Sequence, residues 1–188
     1  MIHLPPLPGS IGYTGRPFAD IVDQALGDAR VLHAAGFHAG MIQNSHDLPF
    51  TATVLPEAIA FLTAVGWEIR RELDFPLGVN LLKNDAAAAL AVAAAIGASF
   101  VRLKVYVGAV LGAEGVLAPS AAHALRTRQR LGSSTEIWAD VFDRTSVPLV
   151  PQPVAQLAEW ATKFGQASVL IVTGDDWPST LEIGRAHV

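Results

Sequence analysis

Residues 76–105, PLGVNLLKNDAAAALAVAAAIGASFVRLKV, contain one complete strand–helix–strand unit. The apolar runs Pro76–Leu82 and Phe100–Val105 predict strands, and Asp85–Ile96 predicts the helix between them. Gly97 stands where such a helix ends. The strand runs are continuously apolar rather than half polar, which is typical of parallel strands covered by helices. This stretch therefore predicts a parallel βα arrangement.

The same alternation continues in both directions along the chain. Further strands are predicted at Met1–Leu4, Phe37–Gln43, Glu136–Val141 and Ser168–Thr173. Further helices are predicted at Phe18–Ala35, Leu55–Leu73, Ser120–Leu131 and Val154–Phe164. The segment Gly108–Gly112 is predicted to be loop. Strict βα alternation permits a doubly wound open sheet or a (β/α)8 barrel. No glycine-rich phosphate motif follows the first strand, which favours the barrel.

Chain length limits how much of a barrel is expected. The chain has 188 residues, whereas a complete TIM barrel takes about 250. We therefore expect an α/β fold of the (β/α)8 TIM-barrel type, truncated to about six βα units, over residues 1–182. The last residues, Ile183–Val188 (IGRAHV), match the translation of a widely used short-read sequencing adapter, so this tail is expected to be non-native. Arg185 and His187 are therefore excluded as site candidates.

Composition excludes several classes of protein. A hydrophobic fraction of 51% supports a sizeable core, and a net charge of −4 lacks the basic excess of nucleic-acid-binding proteins. The longest apolar run, Ala86–Ile96, is too short to span a membrane. With no cysteine there is no disulfide or thiolate chemistry, and with no export signal the expected location is cytoplasmic. Serine hydrolase, zinc protease and P-loop motifs do not occur.

Alternation along the strands sorts the polar residues. Val101 and Leu103 suit the helix side, which turns Arg102 and Lys104 toward the barrel interior. The same parity turns Asp140 inward near the carboxyl end of its strand, which is the catalytic end of a TIM barrel. Other strands contribute His3, Asn80 and Thr173. Because unpaired polar groups are costly to bury, this convergence predicts a functional interior. The alternative is a structural ion-pair network of Arg102, Lys104 and Asp140.

Two predicted loops add reactive groups. Asn44-Ser45-His46-Asp47 follows the second strand, and Lys83-Asn84-Asp85 follows the third. These side chains transfer protons, bind anions or hold hard cations, and Lys83 is a candidate for phosphate binding or for an imine. Each residue also has a structural interpretation. Asp85 is suited to cap the following helix, Asp47 to close a turn, and His46 to lie exposed in the loop.

Five segments together resemble a known family. They are MIHLPPLPGS at residues 1–10, QNSHDLPF at 43–50, PLGVNLLKND at 76–85, GASFVRLKV at 97–105 and ADV at 139–141. From Met1 to about Thr173 the chain resembles the BtpA (BtpA/SgcQ) family, placed among the ribulose-phosphate-binding-type TIM barrels. It departs from that pattern at Gln43, where the family usually has Glu. It also departs at Phe142–Thr145, where the family has basic or His residues.

The resemblance implies a TIM barrel and a set of site positions. Those positions are His3, Asn44, Asp47, Asn80, Lys83, Asn84, Asp85, Arg102 and Asp140. One cyanobacterial branch of the family is associated with photosystem I assembly, and other members resemble proteins of sugar or nucleoside metabolism. The resemblance therefore leaves both a metabolic enzyme and an assembly factor open.

The leading hypothesis is an enzyme that acts by acid–base chemistry on a small phosphorylated metabolite, a sugar or nucleoside phosphate, without a redox cofactor. Asp140, Asp47 and Lys83 are the catalytic candidates. The substrate-binding candidates are His3, Asn44, Asn80, Asn84, Asp85, Arg102, Lys104 and Thr173. No metal site is predicted, although a divalent ion and a homo-oligomer are both left open. The alternatives are a non-catalytic scaffold and a polar interior that is purely structural.

Overall fold

A computed structural model describes residues 1–173 and Thr180, and these form an α/β fold. Its elements in chain order are β1 (Ile2–His3), α1 (Phe18–Ala34), β2 (Gly40–Gln43), α2 (Pro56–Glu72), β3 (Leu77–Asn80), α3 (Ala86–Ile96), β4 (Phe100–Leu103), β5 (Val110–Gly112), β6 (Gly115–Leu117), α4 (Ala121–Arg130), β7 (Glu136–Asp140), β8 (Val147–Pro148), α5 (Val154–Glu159), a π-helix (Trp160–Phe164) and β9 (Val169–Ile171). The expected tail, residues 183–188, lies outside the described residues.

The main sheet has the strand order of a TIM barrel. Within the described residues it contains six strands in the order β1-β2-β3-β4-β7-β9, and each neighbouring pair is parallel. A doubly wound sheet would reverse its order at one point, whereas this order follows the chain throughout. The prediction of an α/β fold of the (β/α)8 type with about six βα units is therefore confirmed over the described residues.

Strand alternation places apolar side chains against the helices. Val101 and Leu103 of β4, and Ile137 and Ala139 of β7, are all buried in the main hydrophobic core. That core also includes residues of α1–α4, such as Ile69. The intervening residues of β4 and β7 are directed to the opposite side of the sheet, as a period of two requires. Those residues carry the polar groups of the candidate site.

Helix α3 packs closely because its side chains are small. Seven of its residues are buried, most of them alanines, and Asp85 caps its amino end. On the adjacent helix α2, a Cβ atom at Gly66 would lie 2.5 Å from Ile96 Cδ1. Small residues thus bring α2 and α3 into contact over the strands. No helix within the described residues is long and apolar enough to cross a membrane.

A second, antiparallel sheet was not expected. It consists of β6, β5 and β8 in that order, and its β5–β6 hairpin closes through Ala113 and Glu114 between the paired residues Gly112 and Gly115. The prediction that Gly108–Gly112 is loop is therefore wrong for Val110–Gly112. The strands have only two or three residues each, too few for a periodic pattern to indicate them.

The interior side of the sheet holds an aromatic pair below the polar groups. The rings of Phe100 and Trp138 stack with centroids 3.7 Å apart and an interplanar angle of 9°. Gly78 on β3 lies directly against Phe100, and a Cβ atom there would overlap the ring. Glycine at this position therefore allows the ring to lie flat against the strand.

We predict that Gly78→Ala lowers the free energy of unfolding by about 1–3 kcal/mol, because the added methyl group forces the Phe100 ring to shift. Urea denaturation followed by circular dichroism measures the loss. Gly27→Ala is the matched control, because Gly27 lies in α1 with no atom near its missing Cβ. That control should raise stability by up to about 1 kcal/mol. Equal stability of Gly78→Ala and the wild type would contradict the packing described here.

Candidate functional site

A cavity of about 680 Å³ lies at the carboxyl ends of the parallel strands. Six of the sequence-predicted site residues line it: His3, Lys83, Arg102, Lys104, Asp140 and Thr173. They come from β1, β4, β7 and from the segments that follow β3, β4 and β9. Gln43, Asp143 and Arg144 also line the cavity. The structure thus brings together side chains that are up to 170 residues apart in sequence, between His3 and Thr173.

Arg102 and Asp140 form a two-armed ion pair inside the cavity. The Nε and Nη2 atoms of Arg102 donate to Oδ1 and Oδ2 of Asp140, each at 2.7 Å. The Asp140 side chain is almost fully buried, and the Arg102 side chain is 14% exposed. Burial raises the pKa of Asp140, although the Arg102 guanidinium opposes that effect. The pair therefore fixes the Arg102 side chain across two neighbouring strands.

Lys83 is buried in a second network of charges. Its Nζ atom lies 3.0 Å from Oε1 of Glu114 and 3.2 Å from Oδ2 of Asp143, and it donates to Ser146 Oγ at 3.1 Å. Ser146 Oγ in turn donates to Asp143 Oδ2 at 2.6 Å, and Thr145 Oγ1 donates to the same carboxylate. The ammonium group of Lys83 thus joins the end of β3 to the β5–β6 hairpin and to the loop after β7.

The hairpin glycine makes room for this network. A Cβ atom at Gly112 would lie 2.5 Å from Oε2 of Glu114 and 3.2 Å from Nζ of Lys83. The absence of a side chain at Gly112 therefore lets Glu114 reach Lys83 from the adjacent turn. The antiparallel sheet is in this way attached to the mouth of the cavity by a buried ion pair.

Lys104 differs from the two paired cations. Its side chain is half-buried in the cavity and forms no hydrogen bond or ion pair with any residue in the described part of the chain. Burial lowers the pKa of Lys104, and the charge of Arg102 lowers it further, while Asp143 and Asp140 act in the opposite direction. Lys104 is therefore an amine held close to charged groups without a fixed partner.

His3 contributes a second shifted group at the other side of the cavity. Burial lowers the pKa of His3, and the nearby His46 ring and the Lys104 ammonium lower it further. The rings of His3 and His46 are 6.3 Å apart, edge to face. The Nδ1 atom of the exposed His46 lies 2.7 Å from the carbonyl oxygen of Leu4. The imidazole of His3 therefore favours its neutral form.

Asn44 and Asp47 are buried outside the cavity and connect three segments. The Oδ1 atom of Asn44 accepts from the Leu82 N–H at 2.8 Å, and its Nδ2 atom donates to Asp47 at 3.1 Å. Asp47 also accepts from the Leu7 N–H at 2.8 Å. Leu82 has a left-handed backbone with φ of 49°, a strained conformation for a leucine, just before Lys83. Asn44 thus holds the turn that directs Lys83 into the cavity.

The remaining predicted residues occupy separate positions. Asn80 is fully buried and its Nδ2 atom donates to the Arg102 carbonyl at 2.8 Å. Asn84 donates to the Ala118 carbonyl at 2.7 Å, at the end of β6. Asp85 caps α3 by accepting from the Ala88 N–H at 3.0 Å and also accepts from the Val54 N–H. Their substrate-binding roles, and the catalytic role of Asp47, stay predictions.

Sequence reasoning missed Glu114 and did not assign a role to Asp143. Glu114 lies in a short hairpin that no periodicity indicated, and its partner Lys83 is 31 residues away. A signal was nevertheless present, because the two-residue turn Ala113-Glu114 lies between Val-Leu-Gly and Gly-Val-Leu. Hydrogen bonds from Ser146 and Thr145, together with Lys83, lower the pKa of Asp143 despite its burial.

Within the described residues, no group of three or more His, Cys, Asp or Glu side chains is suited to hold a metal ion.

The fold and the cavity define an α/β protein of TIM-barrel type with a polar site at the carboxyl ends of its parallel strands. The family profile of BtpA matches residues 1–183. The chain therefore belongs to the BtpA family.

Relatives in the archaea and cyanobacteria share most of this chain. It is 35% identical over 183 residues to an uncharacterised protein of Pyrococcus horikoshii, and the matched region covers 97% of this chain and 70% of that protein. It is 38% identical over 174 residues to an uncharacterised protein of Methanocaldococcus jannaschii, covering 93% of this chain and 66% of that protein. It is also 31% identical over 175 residues to the photosystem I biogenesis protein BtpA of Synechocystis, covering 93% of this chain and 61% of that protein.

We predict that Asn44→Ala lowers the free energy of unfolding by about 2–3 kcal/mol, because the Leu82 N–H and one Asp47 oxygen lose a buried partner. Chemical denaturation measures the change. Ser45→Ala is the control, since the Ser45 hydroxyl makes only a 3.4 Å contact with His46, and its effect should stay within about 0.5 kcal/mol. Similar stabilities for the two variants would contradict the connecting role of Asn44.

We predict that Asp143→Asn lowers the free energy of unfolding by about 3 kcal/mol at pH 7, because Lys83 loses a buried carboxylate. The folded-state pKa of Asp143 lies below its ordinary value of 3.8. Its stabilisation is therefore complete above that value and is lost as the pH falls through the folded pKa. Urea titrations between pH 3 and pH 7 should show the difference between variant and wild type shrinking below about pH 4.

Asp74→Asn is the matched control for this measurement, because Asp74 is exposed. The same chemical change there should alter stability by less than about 0.5 kcal/mol at every pH. A constant difference between Asp143→Asn and the wild type across the whole pH range would show that the Asp143 charge is not the cause.

Proposed function

We propose that this BtpA-family chain is an enzyme that acts by acid–base chemistry on a small phosphorylated metabolite, a sugar or nucleoside phosphate. The observation that carries the proposal is that His3, Lys104 and Asp140 line one cavity and each has a displaced pKa. Displaced titrations in a cleft are a mark of catalytic sites, because a proton donor or acceptor has to be tuned to its task. The position at the carboxyl ends of parallel strands agrees with TIM-barrel enzymes.

The charges of the cavity support an anionic substrate. Lys104 has no ion pair in the described part of the chain, and Arg144 adds an exposed cation on the cavity wall. Lys83 is less suited to bind phosphate, because Glu114 and Asp143 already surround its ammonium group. We therefore assign phosphate binding to Arg144, and we assign to the ammonium form of Lys104 the attraction of the anion into the cavity. A cavity of about 680 Å³ is within the range of sites for small ligands.

Asp140 and His3 are the proposed proton-transfer groups. The Asp140 carboxylate is oriented by both arms of Arg102, and its burial raises its pKa toward the range in which a carboxyl group exchanges protons. His3 supplies an imidazole whose lowered pKa keeps it available as a base. Thr173 adds a hydrogen-bonding group to the cavity wall, and Asn80 supports the strand backbone at Arg102. We assign Asn44, Asp47 and Asp85 to support of the surrounding loops.

A second candidate function is that of a non-catalytic assembly factor. The cyanobacterial relative named as a photosystem I biogenesis protein favours it, at 31% identity over 175 residues. In this proposal the barrel offers its outer surface to a partner, and the ion pairs Arg102–Asp140 and Lys83–Glu114 only fill the interior. The two candidates therefore differ in whether the cavity binds a ligand.

A thermal-shift screen of this chain against sugar phosphates, nucleoside phosphates and their unphosphorylated counterparts tests the proposal. A phosphorylated ligand at about 100 times its Kd should raise Tm by about 5–10 °C, since binding adds about 2.7 kcal/mol to stability. The counterpart without phosphate should give a smaller rise. Lys104→Met should reduce the effect, because it removes a cavity cation that has no ion pair with the described residues.

Lys163→Met is the matched control, because it removes an exposed lysine that pairs with Glu159 on the surface, away from the cavity lining. That variant should respond to ligands as the wild type does. If no phosphorylated compound in the panel raises Tm, the enzyme proposal fails and the assembly-factor candidate is favoured. If Lys163→Met loses the response as strongly as Lys104→Met, the effect is not specific to the cavity.

A further inference from the structure

The sequence contains three lysines, Lys83, Lys104 and Lys163, and their environments differ sharply. Lys83 is 6% exposed, lies against two carboxylates and donates to a hydroxyl group. Lys163 is 64% exposed on the surface, where it pairs with Glu159. Lys104 alone among them lines the cavity without a hydrogen bond or ion pair to the described residues. The nucleophilic lone pair of an amine is available only when the nitrogen is neutral and unobstructed.

Pairing holds Lys83 away from this chemistry. The Nζ atom of Lys83 lies 3.0 Å from a carboxylate oxygen of Glu114 and 3.2 Å from one of Asp143, so both groups obstruct the approach of a carbonyl carbon. The hydroxyl of Ser146 occupies a further position around the nitrogen. Lys83, which the sequence offered as an imine candidate, is thereby fixed as a structural ion.

The surroundings of Lys104 have the opposite effect. Its side chain borders the polar cavity and also a smaller cavity of about 150 Å³, whose walls include Val110, Val141 and Leu157. An apolar wall on one side disfavours the ammonium form. The charged groups that act on it come from its own strand (Arg102), from β7 and the loop after it (Asp140 and Asp143), from the end of β3 (Lys83) and from β1 (His3). Burial and the two cations outweigh the carboxylates, so the pKa of Lys104 is lowered.

We propose that Lys104 is the reactive amine of this site and forms an imine with the aldehyde or ketone group of a phosphorylated substrate. The inference rests on the proposed function and deepens it, because it specifies that the phosphorylated metabolite carries a carbonyl group. Lys104 lies at the carboxyl end of β4, where it faces the cavity beside Arg102.

The step balances without an oxidant or a reductant. The neutral Nζ atom of Lys104 attacks the carbonyl carbon, a C–N bond forms, and the C–O π pair becomes an alkoxide that takes up a proton lost by nitrogen. Protonation of the resulting hydroxyl group lets it leave as water while the nitrogen lone pair forms the C=N bond. One carbonyl compound, one amine and one proton thus give a protonated imine and water. His3 lines the same cavity and is placed to carry the proton.

Reductive trapping tests the proposal on the unmodified chain. The protein is incubated with glycolaldehyde phosphate and cyanoborohydride, which reduces an imine to a stable secondary amine, and adducts are quantified by peptide mass spectrometry. Lys163 is an internal reference in the same molecule, so the comparison does not depend on whether a variant folds. We expect Lys104 to be labelled at least about threefold faster than Lys163 at pH 7.5, because burial and the charge of Arg102 lower the pKa of Lys104 and the cavity holds the aldehyde next to it. Lys83 should be labelled slowest.

Unphosphorylated glycolaldehyde separates this inference from the proposed function. A preference for Lys104 that is larger with the phosphorylated aldehyde supports both. An equal preference with both aldehydes supports the reactive amine and counts against phosphate recognition. Labelling of Lys104 no faster than Lys163, or faster labelling of Lys83, overturns the inference whether or not phosphorylated ligands raise Tm.

Lys104→Arg is a second variant with a distinct readout. Arginine keeps the positive charge but forms no imine under these conditions. This variant should lose the adduct at position 104 and keep most of the thermal stabilisation by phosphorylated ligands. In Lys104→Arg, Lys83 or Lys163 could be labelled as fast as Lys104 is in the wild type. That result would show that the aldehyde selects no particular amine, and it would also overturn the proposal.

Discussion

A buried ammonium ion has to be paired, and Lys83 meets this requirement with carboxylates from two different loops. Its position depends on the left-handed turn at Leu82, which Asn44 holds from the neighbouring strand end. Its partners Glu114 and Asp143 depend in turn on the hairpin and on the loop after β7. One ion thus joins the end of β3 to the β5–β6 hairpin and to the loop between β7 and β8. This constraint explains why a small antiparallel sheet lies against the mouth of a parallel one.

The same requirement distinguishes the other cations of the cavity. Arg102 receives both oxygens of Asp140, so its charge is balanced within the sheet itself. Lys104 follows on the same face but has no such partner in the described residues, and its charge is balanced only at a distance by Asp140 and Asp143. An amine without a partner does not add to stability, because a charge without a partner is costly to bury. A purely structural ion network would therefore not be expected to contain one. The unpaired position of Lys104 is therefore the strongest sign of function in the cavity.

The strands and their inward faces could be predicted from sequence because a period of two is a local property. Val101 and Leu103 define one face of β4, and the positions of Arg102 and Lys104 then follow from geometry. Strand ends were less predictable. Phe37–Gln43 was expected to be strand, but β2 begins only at Gly40 because the chain first leaves α1 through a left-handed turn at Gly36. Gln43, the last residue of β2, lies on the cavity wall.

Ion pairs between side chains that are far apart in sequence could not be predicted in this way. Nothing in the local pattern indicates that Lys83 meets Glu114, because that contact depends on a hairpin whose strands are three residues long. Lys83 and Lys104 looked alike as cations at strand ends, yet one is enclosed by carboxylates and the other is not. An anion that approached Lys83 would meet Glu114 and Asp143 first, whereas Lys104 and Arg144 form no ion pair with a carboxylate in the described part of the chain. The loops that pair Lys83 therefore separate it from Lys104 and Arg144, whose side chains line the cavity without an ion pair among the described residues.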